Sequence, residues 1–97
     1  MAPNCVRSTM LSNFSCSEID VHKAVTLAER FTSDIYIAAD GAACNAKSLL
    51  DFLGDFCPLM DSARVKGVGV LVTIGARGGD AEFAVNALID LVSTWRR

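Results

Sequence analysis

Val68, Val70, Val72 and Ile74 alternate with Gly67, Gly69, Leu71 and Thr73, the two-residue period of a strand with one face buried. A second such run sets Ile35, Ile37 and Ala39 against Asp34, Tyr36 and Ala38, and it ends at Asp40-Gly41. Glycine takes the positive φ of a tight turn, so the chain is expected to fold back there as a hairpin, with Ala42–Asn45 as the return strand. A hairpin makes antiparallel neighbours, and antiparallel strands of this pattern need covering on one face only. The segments between the strands have helical period and supply that cover. Ser17-Glu18-Ile19-Asp20 reads as a helix start, with Ser17 as N-cap and acids in the first turn. Val21, Ala24, Val25 and Ala28 then recur at i, i+3, i+4 and i+7, and Phe31 closes the stripe. Glu18, His22, Thr26, Glu29 and Arg30 fall on the opposite, wet side.

The remaining segments complete the pattern. Cys5–Leu11 gives a weak strand signal and Ser12–Cys16 a polar loop. Lys47–Phe56 predicts a short helix with Leu49, Leu50, Leu53 and Phe56 apolar, broken by Pro58, with a loop from Leu59 to Lys66. Gly75, Gly78 and Gly79 predict a turn after the last strand. Asp80 then caps a final helix whose stripe is Phe83, Ala84, Ala87, Leu88 and Leu91, with Val92 and Trp95 beyond. The order β-α-β-β-α-β-α predicts an α+β open-faced sandwich: a mainly antiparallel four-stranded sheet with three helices on one face. Ninety-seven residues suffice for one such domain, residues 1–97, and leave no room for a second.

Composition removes several function classes. Apolar residues make up 52% and charged residues 21%, so the chain can bury a core. A net charge of -2 gives no broad basic field to hold nucleic acid by its phosphates, and Arg96-Arg97 reads as a solvated tail. No apolar run approaches the ~20 residues of a membrane span. Met1–Phe14 lacks the apolar stretch of a signal peptide, so a cytoplasmic location is the expectation. Cys5, Cys16, Cys44 and Cys57 form no Cys-x-x-Cys pair and only one histidine is present, so neither a metal site nor a cofactor is expected. The cysteines read as reduced thiols, mostly buried as small hydrophobes. Gly75-Ala-Arg-Gly-Gly lacks the lysine and spacing of a nucleotide loop, and one helix-surface histidine assembles no Ser/His/Asp or Cys/His catalytic group.

Three segments in order carry a resemblance. They are Ala28-x-x-Phe31-x-Ser33-Asp34-Ile35, then Asn45-Ala46-Lys47-Ser48-Leu49-Leu50, then Gly79-Asp80-x-x-x-Ala84-x-x-Ala87-Leu88. From about Ser17 onward the chain resembles the histidine-containing phosphocarrier proteins (HPr) of the sugar phosphotransferase system. That family carries a His-Ala-Arg-Pro-Ala run at the start of its first helix. Counting back from Phe31, the histidine falls on Ser17, the arginine on Ile19 and the proline on Asp20. Phosphohistidine chemistry needs an imidazole nucleophile, with a cation and helix N-terminal amides to hold the anion. A serine phosphate is a monoester and a poor donor, and Glu18 and Asp20 add negative charge where a phosphate would sit. The resemblance therefore implies a degenerate member, non-enzymatic, acting as a regulatory or protein-interaction module.

Two alternatives stand beside it. In the first, His22, the only imidazole, takes over as phosphoacceptor from enzyme I; its other readings are a partner contact or a solvated residue at i+4 from Glu18. In the second, the chain is a homodimeric structural protein using the apolar Phe56–Met60 segment. Ser48 matches a serine that some family members have phosphorylated to regulate partner choice, and its plainer reading is a helix cap or a solvated first-turn residue. Leu49, Leu50 and Leu53 match the helix with which the family docks enzyme I and its acceptors, and a core role is the alternative. Together His22, Thr26, Leu49, Phe52 and Leu53 form the expected partner face, directed at proteins of the phosphotransferase system rather than at nucleic acid or membrane. The apolar stretch Asp55–Lys66, longer than the family's usual connection, is read as a cover for the vacated site, a cover for the open sheet or a dimer contact.

Overall fold

The computed structural model describes residues 4–11, 17–39, 42–67 and 69–95. Four strands, β1 (Asn4–Leu11), β2 (Asp34–Ala39), β3 (Ala42–Asn45) and β4 (Val70–Arg77), form one sheet in the order β1-β4-β2-β3. Every neighbouring pair is antiparallel. The strands alternate as their sequences require. Ile35, Ile37, Val70, Val72 and Ile74 face the core, while Val6, Met10, Tyr36 and Leu71 stay exposed on the open face. Asp40-Gly41, Ser12–Cys16 and Arg96-Arg97 lie outside the described residues.

Helices α1 (Glu18–Glu29), α2 (Leu49–Asp51), α3 (Cys57–Lys66) and α4 (Ala81–Ser93) cover the other face. Among the described residues there are thus four helices where the pattern predicts three. Ser17 starts α1 with a capping box: its hydroxyl accepts from the Asp20 N–H at 3.1 Å, and its own N–H donates to the Asp20 carboxylate at 3.2 Å. Val21, Ala24, Val25 and Ala28 are all buried against the sheet, as their spacing requires.

The expected loop from Leu59 to Lys66 is helix. A π-helical turn, Phe52–Phe56, joins α2 to α3 without a break, so the helical path runs from Leu49 to Lys66. Proline stops an α-helix because it lacks an N–H and its ring meets the carbonyl four residues back. For Pro58 that residue is Gly54, which lies inside the wider π turn. The chain therefore passes Pro58 and buries Phe56, Met60 and Ala63, an i, i+4, i+7 stripe. Burial of Phe56 and Met60 makes this segment part of the core rather than a free apolar surface. The Phe52 and Leu59 side chains lie outside the described residues. Helix α3 stops at Gly67, whose φ of 72° ends helical geometry.

Gly75 is not in a turn. It sits inside β4 opposite both Val6 and Tyr36, and a Cβ there would overlap the Tyr36 ring. The missing side chain lets the tyrosine lie across the strand. Phe83 also departs from its expected place: it is 73% exposed, and α4 instead buries Ala81, Ala84, Val85, Leu88 and Val92.

Candidate functional site

At Ser17, where the resemblance places the family's histidine, the chain bonds to itself. Besides the two capping bonds, the Ser17 hydroxyl is 2.9 Å from the Asp20 carboxylate. The Asp20 carboxylate thus takes both donors of Ser17, and the Ser17 hydroxyl takes the Asp20 N–H, at the helix start where an incoming anion would bind. His22 is exposed and lies beyond that first turn. The Val21 N–H already bonds the Ser17 carbonyl at 3.0 Å, so the helical ladder is running before His22 is reached.

Ser48 starts the second helical stretch. Its hydroxyl accepts from the Asp51 N–H at 3.2 Å, the bond of an N-cap. The turn before it is held at both ends: the Asn45 side-chain oxygen accepts from the Lys47 N–H at 2.9 Å, and the Ala46 N–H donates to the Ile35 carbonyl at 3.0 Å. Lys47 reaches across to donate from Nζ to the Phe31 carbonyl at 2.7 Å, which ties this turn to the end of α1. Leu49 is half-buried against the core, Leu53 is at the margin of exposure, and Leu50 is 83% exposed.

His22 and Thr26 line a groove that opens toward α4. It holds about 530 Å³, and its other α1 residues are Ile19, Lys23, Leu27 and Arg30, with Leu91 from α4. None of Ser48, Leu49 and Leu53 lines it, so the expected partner residues fall on two sides of α1. Ile19, Lys23, Leu27, Arg30 and Leu91 carry no motif of their own. The only sequence signal for the first four is their i, i+4, i+8, i+11 spacing.

The Asp80 side chain does not cap α4, although Asp80 holds the N-cap position. Its carboxylate accepts instead from the Thr32 N–H at 2.9 Å, the Ser33 N–H at 3.0 Å and the Ser33 hydroxyl. These donors, the Ser33 hydroxyl foremost, hold its pKa at about 2 against an ordinary 3.8. Gly78, with φ 152°, makes room: a Cβ there would sit 2.8 Å from the Ser33 Cα. Among the described residues no three His, Cys, Asp or Glu side chains gather as metal ligands, and no helix is long and apolar enough to cross a membrane.

No family model matches the chain, and no curated protein matches it by sequence. Solved structures do. The phosphocarrier protein HPr of Bacillus anthracis is 28% identical over 90% of this chain and 96% of its own, with a TM-score of 0.65. The chain is HPr-like. Crh, a catabolite repression protein of Bacillus subtilis, is 27% identical to this HPr-like chain over 88% of it and 87% of Crh, with a TM-score of 0.63; its crystals hold a swapped dimer. HPr-C-His of Thermoanaerobacter tengcongensis is 25% identical over 91% of this chain and 92% of its own, with a TM-score of 0.63.

Proposed function

We propose that this HPr-like protein is a cytoplasmic regulatory or protein-interaction module that no longer carries phosphohistidine. The capping box at Ser17 carries this reading. Where the family resemblance places the phosphorylated histidine stands a serine whose N–H and hydroxyl are both engaged by Asp20. A phosphoryl group there would displace a carboxylate and then face it at close range, like charge against like. The scaffold around that point is retained, which supports a role resting on surface rather than on group transfer. Likeness to a catabolite repression protein supports regulation in particular.

Docking falls to the exposed side of α1, with His22 and Thr26, and to the second helical stretch, with Leu49, Phe52 and Leu53. The partners are proteins of the phosphotransferase system, of the enzyme I or acceptor kind. Ser48 is the regulatory position: a phosphate there adds about -1.5 to -2 of charge at a helix start beside the docking side chains. A homodimer is the second reading, favoured by the swapped dimer of Crh. A monomer in sedimentation at high micromolar concentration removes it.

Intact-mass measurement after incubation with enzyme I and phosphoenolpyruvate tests the main reading. The mass is expected to stay unchanged. An added phosphate that acid removes, and that His22→Ala abolishes, makes the protein a divergent carrier and overturns the module reading.

A further inference from the structure

The groove between α1 and α4 joins an apolar floor to a basic rim. Its floor is apolar, built from the half-buried Leu27 and Leu91, and Ile19 extends it at 68% exposure. Its rim is basic. Lys23 on α1 and Arg30 at its C-cap stand four and eleven residues from Ile19, with His22 beside them, and none of the described lining residues carries a carboxylate. This occurs in a chain whose net charge is -2, so the basic rim is local and does not follow from composition.

We infer that this groove receives an acidic amphipathic helix from a partner protein. From Ile19 to Arg30 the groove runs about 16 Å at ~1.5 Å per residue, about three turns of a guest helix. A guest with apolar residues at i, i+3, i+4 and i+7 places them on Leu27, Leu91 and Ile19. Carboxylates flanking that stripe meet Lys23 at one end and Arg30 at the other, which fixes the sign of the guest and its register. A lipid surface fits less well, because the apolar residues line a concavity between two helices rather than a flat or convex face. The inference rests on the reading that partners dock on the exposed side of α1. It does not depend on the state of phosphohistidine chemistry.

The test uses the full ¹⁵N-labelled chain and two synthetic helical peptides of about 15 residues with the same leucine stripe. One peptide is flanked by glutamates and the other by lysines. The acidic peptide is expected to bind at least about tenfold more tightly, moving the amides of residues 19–30 and of Leu91. Lys23→Glu combined with Arg30→Glu is expected to reverse that order. Ile19→Ser, which leaves every charge in place, is expected to weaken the acidic peptide. These side chains line an open groove rather than the core, and an unchanged melting temperature verifies each fold. Equal binding of the two peptides, shifts confined to another face, or no binding at millimolar peptide overturns the inference. So does binding to vesicles of phosphatidylserine and phosphatidylcholine through the same amides, which makes the groove a membrane contact. Shifts of those amides on concentrating the protein alone make it a contact with a second copy and overturn it equally. No arm contains a phosphoryl donor, so the outcome is read independently of the mass experiment.

Discussion

Asp80 joins two ends of the molecule that the chain separates by almost fifty residues. Its carboxylate collects the Thr32 and Ser33 amides and the Ser33 hydroxyl, and so fixes the exit of α1 to the entry of α4. The sign of the pH effect follows from the lowered pKa. The folded protein holds Asp80 ionised down to about 2, whereas the unfolded chain takes up its proton near 3.8. This contribution to stability is therefore complete above about 3.8 and is lost as pH falls toward about 2. Urea midpoints measured across that window are expected to fall less steeply in Asp80→Asn than in the natural protein. Other carboxylates titrate in both chains, so the difference between the two slopes is the quantity to read, and parallel slopes refute the assignment. Gly78→Ala is expected to give the same flattening together with a loss of about 1–3 kcal/mol, because its Cβ would press on Ser33 and its φ strains any side chain. Combined, the two changes are expected to cost less than their sum, since both act on one junction.

The helical path from Leu49 to Lys66 is the element where sequence and structure part most. Pro58 masked it. Phe56, Met60 and Ala63 carry a legible helical period, but proline reads as a stop until the π turn ahead of it is seen. That turn depends on packing against β3 and α1, which no local pattern announces. The strands were legible for the opposite reason: a two-residue period over a half-buried sheet leaves little freedom, and Ala42–Asn45 falls where the hairpin requires. Ser17 and Ser48 were legible as caps because Ser-x-x-Asp brings donor and acceptor together within one turn. The α1–α4 groove was not legible, since Leu27 and Leu91 are neighbours only once both helices lie on the sheet. Gly54 is the weak point of the long helical path. It is exposed, and a Cβ there meets nothing within 4 Å. Gly54→Ala is expected to raise stability by about 0.5–1 kcal/mol in urea denaturation, by narrowing the unfolded ensemble. A loss instead would mean that the π turn needs backbone geometry alanine resists.

Taken whole, the molecule covers one face of its sheet and leaves the other in water, with Val6, Met10, Tyr36 and Leu71 exposed on it. The sheet offers two copies two ways to meet. They can press their open faces together, or they can exchange an edge strand, and β1 pairs only with β4. Physical chemistry separates the two. Contact between faces is opposed by like net charge, so it strengthens as pH approaches the isoelectric point near 5.1, where the charge of -2 at neutrality vanishes. An exchanged strand rebuilds the bonds of the monomer, requires local unfolding to form, and responds little to surface charge. Sedimentation at high micromolar concentration is expected to show reversible association that grows from neutral pH toward about 5.1. Leu71→Lys is expected to suppress it, because it puts an ammonium in the middle of the open face and raises the isoelectric point together. A dimer that survives both dilution and Leu71→Lys points to strand exchange instead. The open face then has no part in bringing copies together, and the charge on it no longer governs the association.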